Sequence, residues 1–99
     1  MQNSRIPPQS LAAEKAVLGA CLLNDSAIFS AMEFVHAADF YKKEHQVIFQ
    51  TMLDLNSASY VCDLVAVSER LAKQGQLEMV GGPEYLATLT GEVPSLANA

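Results

Sequence analysis

The sequence has no tryptophan, two cysteines, and six lysines and arginines against eleven aspartates and glutamates. Each shortage excludes something. Binding a phosphate backbone by counterion release needs clustered cations. Here only Lys42 and Lys43 are adjacent, and Glu44 follows them directly. Direct nucleic-acid binding by this chain is therefore not expected, and the net charge of −5 suits protein partners better. Cys21 and Cys62 form no CxxC pattern and have no histidines at zinc-site spacing. They read as small buried hydrophobes, and nothing in the sequence signals the oxidising compartment a disulfide needs. No apolar run approaches the length that crosses a bilayer. Pro7 and Pro8 interrupt the place where a signal peptide would be apolar. A cytoplasmic protein without a membrane partner is expected.

Catalytic and cofactor signatures are missing as well. There is no GxxxxGK[ST], no GxGxxG after a strand-like run and no HExxH. No cofactor or metal is expected in this chain. Gly81-Gly82 reads as a tight turn before a helix rather than as an anion cradle.

What is present is apolar and helical. Half of the 99 residues are hydrophobic, enough for one domain with a modest core. Residues 1–9, with two prolines and no periodicity, read as an arm, and residues 10–94 as a globular helical domain. A first helix follows Ser10 as N-cap, with Glu14 favoured by the positive end of the helix dipole. Leu11, Leu18 and Leu22 share one face, and Ala12, Ala16, Gly19 and Leu23 a second, small-sided one. Asn24 and Asp25 end it. A second helix, Ser26 to Phe34, turns Ile28, Phe29 and Met32 inward. Phe40 lies in the following connection, where Asp39 is placed to cap the next turn.

The clearest element is the third helix. His45, Ile48, Phe49, Met52 and Leu55 recur at helical spacing. The stretch 57–62 reads as a loop. Asp63 caps a fourth helix, whose inner stripe is Leu64, Val67 and Leu71 and whose Glu69, Arg70 and Lys73 face water. Gly75 ends it as a left-handed residue. A fifth helix carries Pro83 in its first turn and Tyr85, Leu86 and Leu89 behind it. No strand alternation appears. The fold expected is an all-α, compact irregular bundle of five to six short helices.

His45 lies on an apolar stripe and reads as a core histidine, not a catalytic one. His36 and the scattered carboxylates form no acid–base pair. A histidine phosphotransfer domain would need His45 exposed, and a generic helical adaptor is the remaining alternative. Tyr85, with an apolar ring and a polar tip, is of a type enriched at interfaces, and equally of a type found in cores with its hydroxyl bonded. Ser95, Leu96, Ala97, Asn98 and Ala99 look like the first turn of another helix, too short to stand alone. A longer parent chain is therefore expected.

The segments IPPQSLAAEKAVLGACLLN, ADFYKKEHQVIFQTMLDL, CDLVAVSERLAKQGQLEMVGGPEYLATL and VPSLAN, in this order, resemble the N-terminal domain of the bacterial replicative DNA helicases, the DnaB family. The resemblance runs from about Ile6 to Asn98. Two departures stand out. The family usually has an acid at the position of Ala12, and Pro-Val-Asp or Pro-Ile-Asp where this chain has Val61-Cys62-Asp63. The resemblance implies a helical head followed by a helical hairpin, with residues 95–99 as the start of that linker. It implies a ring-shaped hexamer that unwinds DNA in the five-prime to three-prime direction. The RecA-like motor binding ATP and Mg²⁺ would lie downstream, so this chain would not itself be an enzyme. It implies partners as well: a second copy, primase and the helicase loader. By the same resemblance Met79, Glu84 and Tyr85 fall near the primase-docking region; apart from the resemblance, the exposed row Glu69, Arg70 and Lys73 reads as a solvated face or as a second candidate.

Overall fold

A computed structural model describes residues 10–24 and 26–91. Among them the chain forms α1 (Leu11–Leu23), α2 (Ala27–Phe34), a 3₁₀ turn (Ala37–Asp39), α3 (Lys43–Ser57), α4 (Leu64–Lys73) and α5 (Gly82–Thr90), with no strand. The all-α expectation holds. The arm at 1–9, the end of the head at 92–94, the linker at 95–99 and Asp25 lie outside the described residues.

The core follows the α3 stripe. Ile48, Phe49 and Met52 have no exposed surface and meet Leu18, Val67, Leu71, Leu86 and Leu89, which are equally sealed. Phe40 is buried, its ring 5.1 Å from that of Phe49. Leu22 is buried too. α1 packs most extensively on α5, and α3 equally on α4 and the 3₁₀ turn. Burying a side chain of this size stabilises by about 1.5–3 kcal/mol, so the interlocked set dominates the folding free energy.

Three helix-like segments end by the same device. After α4, the N–H groups of Gly75 and Gln76 bond the carbonyls of Ala72 and Leu71, with Gly75 at φ +72°. After α3, the N–H groups of Ser59 and Tyr60 bond Asn56 and Leu55, with Ser59 at φ +68°. The turn at 77–80 closes likewise, through Gly81 and Gly82 to Glu78 and Leu77. A left-handed residue satisfies the orphan carbonyls each time. At the other end of α4, Asp63 Oδ1 accepts the N–H of Ala66 at 2.8 Å, the cap expected from sequence.

Several expectations are corrected. In α2 only Ile28 is buried, while Phe29 is 58% and Phe34 78% exposed, and Met32 also points outward. The inner stripe runs instead through Ala27, Ile28, Ala31 and Val35. Periodicity was compatible with either face, and the smaller side chains allow the closer approach. Leu11 is half-exposed and outside the core, and Leu64 packs at its margin. On the second face of α1, Gly19 is buried but Ala12 and Leu23 face solvent. Ser10 makes no side-chain cap bond, and its φ −87°, ψ 65° lies outside the extended region usual for that position. Asp39 does not cap the next helix; it accepts the N–H of His36 at 2.8 Å and closes its own turn.

Candidate functional site

Glu14, on α1, is fully buried. It shares the buried stripe of Leu18 and Cys21, where a carboxylate needs partners. The partners come from the 40–42 loop and α3. Tyr41 N–H donates to Oε2 at 2.6 Å, and Lys42 N–H reaches Oε1 at 3.5 Å. His45, also fully buried, places Nδ1 at 2.7 Å from Oε1. The loop itself is clamped to α3 by Gln46 Nε2, which donates to the Phe40 carbonyl at 2.7 Å.

The chain of bonds continues to α5. His45 Nε2 lies 2.6 Å from the Tyr85 hydroxyl, and the two rings stack at 6.0 Å and 16°. Lys42 Nζ sits 4.8 Å above the Tyr85 ring, a cation–π contact. Burial pushes the His45 pKa below its ordinary 6.5 and the Lys42 charge adds to this; the Glu14 bond and the charges of Glu14 and Glu44 oppose it. The imidazole is therefore neutral. Its Nδ1–H donates to the Glu14 carboxylate and its Nε2 accepts the Tyr85 O–H, a tautomer that follows from the network. Glu–His–Tyr is a combination seen in acid–base catalysis, but here each atom that would react is bonded to another and His45 has no exposed surface. This burial removes the phosphotransfer alternative.

Sequence reasoning placed His45 in the core and missed its partner. Glu14 was read as a dipole companion at the start of α1. The signal was available: an acid on the buried stripe of one helix and a histidine on that of another call for each other. Cys21 and Cys62 are both buried as free thiols. Burial first, then the neighbouring Cys62, pushes the Cys21 pKa up to about 11, which keeps it protonated. Among the described residues no group of three metal-ligating side chains forms.

Of the three residues expected near a docking surface, Tyr85 is half-buried with its hydroxyl taken by His45. Its Cβ lies against Gly81, where an added Cβ would come within 2.7 Å. Glu84 is exposed and its carboxylate folds back toward Gly82. Met79 is exposed in the preceding turn. All three belong to one corner, the turn leading into α5. Glu69, Arg70 and Lys73 lie elsewhere, along a shallow groove of about 550 Å³ beside α4.

Residues 6–99 match the family model described as the DnaB-like helicase N terminal domain. The chain is 47% identical over 96 residues to the replicative DNA helicase DnaB of Treponema pallidum (strain Nichols), covering 97% of this chain and 22% of that protein. It is 46% identical to the DnaB of Geobacillus stearothermophilus, covering 97% of this chain and 21% of that one. The chain thus spans about a fifth of the length of the curated relatives it matches. The crystal structure of the N-terminal domain of DnaB helicase from Mycobacterium tuberculosis superposes with a TM-score of 0.87 at 42% identity, over 94% of this chain and 67% of that one. With the family model matching nearly its whole length, this chain belongs to the DnaB-like helicase N-terminal domain family.

Proposed function

We propose that this chain is the docking and assembly head of a hexameric replicative DNA helicase. The parent unwinds DNA with ATP and Mg²⁺ bound in a downstream motor domain, and the head contributes surfaces rather than chemistry. Its partners are primase, the helicase loader and further copies of itself. The observation that carries this reading is the Glu14–His45–Tyr85 chain. The ionisable groups most able to react are consumed in joining α1, α3 and α5. Tyr85, in the corner that presents Met79 and Glu84, is thereby anchored to α3. Preorganised surfaces bind with less ordering cost.

Calorimetric titration with the C-terminal domain of a bacterial primase tests the reading. Saturable one-site binding is expected, weakened at least tenfold when Met79→Ala and Glu84→Lys are combined. Absence of heat at high micromolar concentrations overturns it. So does tight binding to labelled single-stranded DNA at near-physiological salt, which a chain with few clustered cations would not give.

A further inference from the structure

The Glu14–His45–Tyr85 chain contains one group able to reverse its role. Tyr41 N–H, Lys42 N–H and His45 Nδ1–H all donate toward the Glu14 carboxylate. A proton added to either oxygen would face a donor and weaken a bond already made. His45 Nε2 is different. Its neighbour at 2.6 Å is the Tyr85 hydroxyl, which donates or accepts according to how it turns. Phe40 stands edge-on to the imidazole at 6.4 Å, and its ring brings no polar atom. An incoming proton therefore has one place in the chain where the bond is kept, and taking that place makes the Tyr85 O–H turn away.

We infer that proton uptake at His45 Nε2 reverses the hydrogen-bond polarity of Tyr85, so that the protonation state of the core sets what the α5 corner offers a partner. In the neutral state the hydroxyl proton points inward and the oxygen is left to accept. In the protonated state Nε2–H donates to that oxygen and the O–H points to the opposite side. Tyr85 is half-buried while His45 has no exposed surface, so the change is delivered outward. Lys42 Nζ, 4.8 Å above the ring, is a donor and takes no O–H. The turned hydroxyl then suits water or a partner's carbonyl or carboxylate, whereas the neutral state suits an N–H donor. The bond to Glu14 survives in both states and becomes an ion pair in the second. The charged groups facing the ring are Glu14 from α1, Lys42 from the 40–42 loop and Glu44 from its own helix, with the Tyr85 phenol from α5. Burial and Lys42 oppose the cation, Glu14 and Glu44 favour it, and burial prevails, so the reversal falls below the ordinary pH of 6.5. What a partner makes of it rests on the docking reading above; the reversal itself does not.

The test follows both rings in the folded chain, labelled with ¹⁵N in histidine and ¹³C at tyrosine Cζ and acidified stepwise. His45 Nε2 should pass from an accepting to a protonated nitrogen below pH 6.5, with Nδ1 protonated throughout. The Tyr85 Cζ resonance should shift with the same midpoint while those of Tyr41 and Tyr60 stay. Lys42→Gln keeps the backbone N–H to Glu14 and removes an opposing charge, so it should move both midpoints upward together. In His45→Gln the Tyr85 shift should be absent. A Tyr85 Cζ that stays put as Nε2 takes its proton overturns the inference. So do midpoints that fail to rise together in Lys42→Gln, a Glu14 carboxyl carbon that titrates before Nε2, or unfolding before His45 is charged. If primase binds while Tyr85 does not reverse, only the reversal falls; a reversal in a head that binds no primase leaves it standing and removes the primase reading.

Discussion

At the scale of single residues, the most consequential atoms are those of Glu14, His45 and Tyr85. A buried hydrogen bond contributes modestly, but stranding one partner costs about 1–3 kcal/mol. Tyr85→Phe leaves His45 Nε2 with nothing to accept and should destabilise the chain by about 1–2 kcal/mol in urea unfolding. Glu14→Ala strands the His45 Nδ1–H and the Tyr41 N–H together and should cost about 3 kcal/mol or more. The double variant should not equal the sum of the two. Without Glu14 the imidazole can change tautomer and donate from Nε2, so the Tyr85 hydroxyl acquires a different role. A coupling above about 0.5 kcal/mol is expected from this shared histidine. Strict additivity would mean that His45 does not transmit between the two.

At the scale of elements, the left-handed closures give a graded comparison. Ser59 holds φ +68° with a Cβ, so Ser59→Gly should stabilise by a few tenths to about 1 kcal/mol. Gly75 holds nearly the same φ in open space, so Gly75→Ala should cost about 1 kcal/mol from backbone strain alone. Gly81→Ala should cost distinctly more, because its Cβ would collide with Tyr85 as well. Thermal unfolding of the three variants checks the order. The helices themselves were legible in the sequence, α3 by its periodicity and α4 most fully, because periodicity, an Asp cap and a terminal glycine agreed there. α2 was legible as a helix but not in its facing. Eight residues sample the helical period barely twice, and the large side chains Phe29 and Met32 outweighed the alanines that turn inward. The Glu14–His45–Tyr85 chain was half legible. Each residue had a readable position, but the loop that brings Tyr41 and Lys42 to Glu14 has no pattern to announce it.

At the scale of the whole molecule, burial of a neutral histidine links stability to pH. Burial lowers the His45 pKa in the folded chain, whereas the unfolded chain keeps the ordinary value near 6.5. Above that pH both states hold the ring neutral and the contribution is complete. As pH falls below about 6.5 the unfolded state takes up a proton that the folded state resists, so stability declines, by at most about 1.4 kcal/mol per pH unit. Urea midpoints between pH 7.5 and 5 should fall accordingly, and His45→Gln should flatten this part of the profile. A midpoint that rises on acidification would reverse the sign. The same commitment of charged and polar groups to the interior leaves the exterior to do the work. Among the described residues the α5 corner, the α4 groove and the outward aromatics of α2 are exposed, and none of them contains His45.

The most direct measurement is therefore on that ring. In ¹⁵N-labelled chain, the imidazole nitrogens of His45 should show the Nδ1–H tautomer, with both resonances unmoved from pH 8 to below 6.5, while the same histidine in urea titrates near its ordinary value. A His45 that titrates normally in the folded state, or exchanges its ring proton with water as freely as an exposed one, would contradict a head that works by being held rather than by reacting.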